Sequence, residues 1–178
     1  MCITKRSAAA GFTVIEFLIA TTIGMMALAG TAALSVYTTR SFAAMGNYME
    51  LDKNSRNALD KMTQIVREAD GVLSFDSHAV SLSYHGQTLS FNYSPTGKTL
   101  TMVNTNNVKD VLLTDCTFLD FQIYQRNSVA GSYDQYPITT DEAAAKILQV
   151  SWICSRYLIG NLFNTESVQS AKIVIRKQ

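Results

Sequence analysis

The chain has 178 residues, a formal net charge of +1 and 16% charged side chains, which suits one domain of ordinary size and excludes a strongly basic nucleic-acid binder. Its apolar residues are unevenly spread. From Phe17 to Thr39 there is no Asp, Glu, Lys or Arg, a run longer than the roughly 20 residues needed to cross a bilayer core.

The predicted elements begin with a leader, residues 1–11, basic through Lys5 and Arg6 and rich in small side chains at Ser7, Ala8, Ala9 and Ala10. It is too short to fold and reads as an address segment. Losing Lys5 and Arg6 with it takes the 15 basic side chains to 13 against 14 acidic ones, a net charge of −1. Because both cations precede the apolar run, the positive-inside rule keeps the N-terminus cytoplasmic and sends the bulk of the chain across the membrane.

Residues 12–39 form an apolar helix for a membrane or a filament core, with small residues including Gly24 and Gly30 that let such helices approach closely. Glu16 stands at its entrance. A carboxylate in hydrocarbon costs on the order of 3 kcal/mol, so it calls for a partner.

Gly11-Phe12-Thr13-Val14-Ile15-Glu16 resembles the N-terminal signature of type IV pilins and pseudopilins: a basic leader ending in Gly, an aromatic first residue, and a lone acid at fixed spacing before an apolar helix. The resemblance implies cleavage between Gly11 and Phe12 by a membrane-embedded prepilin peptidase, N-methylation of Phe12, and pairing of Glu16 with the N-terminal amine of a neighbouring subunit. Many members of the family carry a proline midway along this helix, and this chain has none there.

Residues 40–70 continue as an amphipathic helix. Winding about 100° per residue from Met62, Tyr48, Leu51, Ser55, Ala58, Leu59, Ile65, Val66 and Ala69 fall within roughly 60° of it. Glu50, Asp52, Lys53, Arg56, Asp60, Lys61, Arg67 and Glu68 fall outside that arc. Asp52 and Arg56 are set to pair at i, i+4, and Gly71 terminates the helix. Unbroken from Phe12 to Asp70, it would be roughly 90 Å long.

Residues 71–178 change to a period of two. Val80, Leu82 and Tyr84, a turn at His85-Gly86-Gln87, then Leu89, Phe91 and Tyr93 make a hairpin. Ser94-Pro95-Thr96-Gly97 turns into a third strand with Leu100 and Met102. Val111 to Leu113 and Phe118 to Tyr124 offer further strands, the latter with Leu119, Phe121 and Ile123 on one side. Gln125 to Lys146, with Gly131, Tyr133, Tyr136 and Pro137, reads as a long surface loop in which Thr140 to Ala145 has the composition of a short capped helical turn. Ile147 to Leu158 is a strand with Leu148, Val150, Trp152 and Cys154 on one face, Asn161 to Ser170 a turn, and Ala171 to Arg176 a last strand. The expected class is α+β and pilin-like: a long N-terminal helix, membrane-spanning in its first half and amphipathic in its second, packed on an antiparallel β-sheet domain.

Little here points to catalysis. Gly97-Lys98-Thr99 resembles the tail of a phosphate-binding loop, but the first Gly of that motif falls on Asn92. No Gly-x-Ser-x-Gly elbow occurs. Asp110, Asp115 and Asp120 recur at five-residue steps, too widely for a calcium loop. His78 and His85 flank turns and have no Cys or His at metal spacing, so neither metal nor cofactor is expected. Cys2 would leave with the leader, so Cys116 and Cys154 remain, either as one disulfide or as two buried thiols.

The expected function is therefore structural, that of a minor pilin or pseudopilin in a type II secretion, pilus or DNA-uptake filament. Leu59-Asp60-Lys61-Met62 with Ile65, Val66, Arg67, Glu68 and Ala69 before a meander resembles the J-type pseudopilins and W-type minor pilins, which join other minor subunits near a filament tip and help initiate assembly. Tip-capping K-type subunits lack the acid that Glu16 supplies. The resemblance implies as partners the peptidase, other pilins or pseudopilins, the inner-membrane assembly platform and the membrane, with no direct contact to nucleic acid. It places the chain in the inner membrane by a single span with its C-terminal domain periplasmic, and then in a filament. Two other readings compete. In one, Lys5, Arg6 and Ala27-Leu28-Ala29 form an ordinary signal peptide cut after Ala29, releasing a secreted enzyme or binding protein. In the other, the chain is a plain single-pass anchored domain.

Overall fold

The computed structural model describes residues 11–126, 135–158 and 161–176. Residues 1–10, expected to belong to a leader and including Cys2, and the loop positions Gly131 and Tyr133 lie outside the described residues. The chain divides at Ala43/Ala44 into two compact units. Its secondary structure is α+β: one 55-residue helix, α1 (Val14–Glu68), followed by antiparallel sheets of five and four strands.

In the first unit α1 is apolar around its circumference, and Phe17, Leu18, Ile19, Ile23, Leu28 and Leu34 are all exposed. The helix is long and apolar enough to cross a membrane. Thr21, Thr22 and Thr31 return their hydroxyls to carbonyls three residues back, and Thr38 and Thr39 to carbonyls four back. These five threonine hydroxyls are thus satisfied within the helix, an arrangement that suits an apolar surrounding.

In the second unit α1 becomes one-sided. Leu51, Ser55, Ala58, Met62, Ile65 and Val66 are buried, as is Ala69 just beyond the helix. Leu59 packs partly against the same core, whereas Tyr48, on the same stripe, is 49% exposed. Sheet cover begins one turn later, at Leu51. The helix ends at Glu68, two residues before the expected limit, and Gly71 opens the first strand.

The first sheet runs in sequence order through β1 (Gly71–Asp76), β2 (Ala79–Tyr84), β3 (Gln87–Ser94), β4 (Thr99–Asn104) and β5 (Lys109–Leu113). It is the expected meander, extended by β1. His85 and Gly86 adopt φ of 48° and 74°, the two left-handed residues of a type I′ hairpin, and Tyr84 faces Gln87 across it. Val80, Leu82, Leu89, Phe91 and Leu100 point inward, so the period-2 pattern sets the register.

The second sheet has the order β7-β6-β8-β9, with β6 (Cys116–Gln125), β7 (Ile138–Thr139), β8 (Ala145–Leu158) and β9 (Asn161–Val174). Leu119, Phe121 and Ile123 lie buried together with Leu148, Val150 and Trp152 of β8. The region expected to be one long loop therefore includes the short strand β7, which pairs with Ile123 and Tyr124. Thr140 to Ala145 is a turn in which Asp141 accepts the Ala143 N–H at 3.0 Å, and it forms no helix.

The segment from Asn161 to Ser170 is a correction. It was expected to turn, but its backbone pairs with β8 from Leu158↔Asn161, across a register shift between Leu158 and Arg156, and then without a break from Arg156↔Thr165 to Ser151↔Ser170. Its sequence lacks apolar alternation because β9 lies at the sheet's edge, where pairing with a long neighbour satisfies the backbone without demanding a buried face. Val168 is correspondingly 63% exposed, while Ser167 beside it is buried.

Both sheets contribute to one hydrophobic cluster with the second-unit part of α1. Phe91, Phe121 and Trp152 are its largest covered side chains, each stabilising by roughly 1.5–3 kcal/mol or more. Hydrogen bonds stitch the sheets: Phe121 N donates to Ser77 O at 2.9 Å and Cys116 N to Lys98 O at 2.9 Å.

Candidate functional site

Gly11, Phe12 and Glu16 sit together where the described chain begins. Phe12 is 86% exposed and precedes α1, and Glu16 lies in its first turn. Thr13 occupies the N-cap position. Glu16 Oε2 accepts the Thr13 N–H at 3.0 Å and its hydroxyl at 3.1 Å, while the Glu16 N–H reaches back to Thr13 Oγ1 at 3.3 Å. This reciprocal exchange is a capping box. It satisfies donors that a helix start leaves open, and the carboxylate also complements the positive end of the helix dipole. Thr13 entered the sequence reading only as a position of the N-terminal signature and not as a cap, although its Thr-x-x-Glu spacing carries the signal.

The consequence is a carboxylate that faces back along the chain, toward the residues before the helix. It holds neutral donors from its own chain and no cation: among the described residues no ion pair involves Glu16.

In the second unit, ion pairs fasten α1 to the strands. Arg156 on β8 donates to Asp115 through Nε at 2.9 Å and Nη2 at 2.8 Å, and to Glu50 of α1 through Nη1 at 2.9 Å. Asp115 and Glu50 together raise the Arg156 guanidinium above its ordinary range, Asp115 contributing more. Lys61 of α1 pairs with Asp110 of β5. At the helix end, Glu68 accepts the Tyr84 hydroxyl at 2.9 Å and stands 3.6 Å from His85 Nε2. The Tyr84 hydroxyl is the main reason that Glu68 is held below the usual carboxylate range.

Asp110, Asp115 and Asp120 are thus dispersed, each on its own partner: Lys61, Arg156 and Gln122. Among the described residues no group of three or more His, Cys, Asp or Glu side chains is placed to hold a metal ion. His78 stacks on Tyr93 with ring centroids 5.6 Å apart, and His85 meets Tyr84 edge-on at 4.4 Å. Lys98 lies in the turn between β3 and β4 with φ of 50°, where Gly97 donates its N–H to Ser94 Oγ at 3.2 Å. That geometry is a hairpin turn and not a strand-to-helix phosphate loop.

A buried polar knot joins α1 to the second sheet. Trp152 Nε1 donates to Ser55 Oγ at 3.3 Å, and the Ser167 hydroxyl reaches the same oxygen at 3.4 Å. Ser55 fell on the buried stripe in the sequence, but its hydrogen-bonding role needs Trp152 and Ser167, which are about a hundred residues away in the chain.

Cys116 and Cys154 stand opposite one another on β6 and β8 as buried free thiols, and the Cys116 Sγ–H donates to the Phe118 carbonyl at 3.1 Å. The Cys154 side chain beside it, with burial, pushes the Cys116 thiol far above the ordinary thiol range.

In comparisons with known proteins, no family model and no curated protein matches the chain. The long apolar N-terminal helix and the antiparallel sheets are compatible with a pilin-like fold.

Proposed function

We propose that this chain is a minor pilin or pseudopilin, a non-enzymatic subunit that assembles through its N-terminal helix into a type II secretion pseudopilus or a type IV pilus. The observation that carries the reading is the placement of Glu16. It caps the head of a helix whose next 23 residues carry no charge, and its carboxylate points toward the segment in which a cut after Gly11 would create a new amine at Phe12.

In an apolar surrounding an unpaired carboxylate is costly, and removing one partner of a buried ion pair costs roughly 3–5 kcal/mol. Each entering subunit would bring one amine and one acid, so a correctly stepped neighbour satisfies both and a misplaced one leaves a charge uncompensated. The Thr13 capping box gives Glu16 a neutral partner until that amine arrives. The Leu59 to Ala69 pattern before a meander supports a place among the J-type or W-type minor subunits, which help initiate assembly near the tip. The accompanying partners are prepilin peptidase, other pilins or pseudopilins and the inner-membrane platform. The chain would span the inner membrane once, N-terminus inside, with residues 71–178 periplasmic.

The mass and first residue of the mature protein isolated from its host test this reading. N-methylated Phe12 is expected. A chain beginning at Gly30 would make it a secreted protein, and an uncut Met1 would make it a simple anchor. Glu16→Ala should leave cleavage intact and impair incorporation into filaments; incorporation at the normal level would remove the role assigned to the acid.

A further inference from the structure

Cys116 begins β6 and Cys154 lies near the end of β8, paired with one another beside a register shift between Cys116 and Phe118. The kind of pair follows from the hydrogen bonds. Ser155 N donates to Asp115 O at 2.9 Å, the bond that flanks a non-hydrogen-bonded pair, whereas Cys116 N donates away from its partner, to Lys98 O. Pairs of this kind bring the two Cα atoms to about 4.5 Å, within the span of a disulfide. The side chains meet in a covered site, at 0% and 1% exposure. Tyr93 donates its hydroxyl to the Cys116 carbonyl at 3.0 Å, and Ser55 of α1 touches the Cys154 thiol.

We propose that Cys116 and Cys154 close a disulfide that staples β6 to β8 beneath α1. The compartment it requires rests on the export reading above. The oxidant is a disulfide-carrying thiol oxidant. One cysteine thiolate attacks its disulfide and forms a mixed disulfide, and the second cysteine thiolate displaces the oxidant. The two cysteines lose two protons and two electrons, and the oxidant leaves as a dithiol.

Burial sets the timing. An oxidant cannot reach thiols with 0% and 1% exposure, so the bond forms while β8 is still closing over β6. The same cover then shields the bond from reductants. The staple therefore resists dithiothreitol in the folded chain and yields to it once denaturant opens the core.

The test uses the full chain in its host. Cells are quenched in acid, free thiols are alkylated, and the tryptic peptides 110–126 and 147–156 are measured by mass spectrometry. More than about nine-tenths of these peptides should be joined, two hydrogens lighter than their sum, before and after native treatment with dithiothreitol, and separate after treatment in urea. Free, alkylated Cys116 and Cys154 in quenched cells overturn the proposal, as does ready reduction without denaturant. The N-terminal peptide of the same sample keeps the two readings apart. A methylated Phe12 with free thiols defeats the staple alone, and an uncut Met1 with joined peptides defeats the filament reading and leaves the staple standing.

Discussion

Ser55→Ala exposes how the helix is held to the second sheet. Ser55 Oγ accepts the Trp152 indole N–H at 3.3 Å and the Ser167 hydroxyl at 3.4 Å, and Ser55 and Trp152 are 0% and 1% exposed. Removing the oxygen leaves a buried indole donor without an acceptor and without room to turn toward water. The expected loss is about 1–3 kcal/mol. In a Trp152→Phe background no indole donor is left to strand, and Ser55→Ala gives up the longer contact with Ser167 and the touch on the Cys154 thiol, about 0.5–1 kcal/mol. The coupling should therefore be roughly 1 kcal/mol or more. Urea unfolding of the full chain in detergent micelles, followed by far-UV circular dichroism, measures all four variants. Trp152 is the only tryptophan, so its fluorescence reports independently on wild type and Ser55→Ala. Equal costs of Ser55→Ala in both backgrounds, within the ~0.3 kcal/mol scatter of independent sites, would refute the hydrogen bond as the link.

Further outcomes are expected elsewhere. Arg156→Ala removes two ion pairs from a side chain that is 29% exposed. The loss should be roughly 1 kcal/mol after discounting for solvent and shrink further in high salt, as read by urea midpoints at two ionic strengths. Tyr84→Phe deletes the hydroxyl that holds Glu68 below its usual range. Stability from a lowered carboxylate is present above its unfolded value and lost as pH falls through its folded one. The variant should therefore begin acid unfolding at higher pH than wild type, while the two differ by a constant amount near neutrality. Gly86→Ala forces a side chain into φ of 74° and should cost about 1–2 kcal/mol, seen as a lowered thermal midpoint. Cys116→Ser/Cys154→Ser, compared with the oxidised chain, should lose roughly 4 kcal/mol, the entropy of a closed loop of about 40 residues.

Legibility in the sequence follows the range of the interaction. The buried stripe from Leu51 to Ala69 could be read because a helix returns to the same face every 3.6 residues. The β2–β3 hairpin could be read because His85-Gly86 suits a two-residue turn between alternating strands. β9 could not, since its first ten residues show no alternation of apolar and polar side chains and become a strand only beside β8. At the candidate site, Glu16 was conspicuous as a lone charge in an apolar run, whereas Thr13 was read only as a position of the signature and not as a cap, although its spacing is local.

By itself, the sequence determined the uncharged run from Phe17 to Thr39, the position of Glu16 at its head, and the switch from a helical to a two-residue period near Gly71. These are matters of composition and local periodicity, which need no partner from elsewhere in the chain. Only the tertiary structure decided that the strands divide into two sheets, that Arg156 bridges Glu50 and Asp115, that Ser55 receives Trp152, and that Cys116 faces Cys154 across β6 and β8. Each of those contacts joins residues between about 40 and 110 positions apart, and their meeting depends on strand register, which is settled only when the whole core packs.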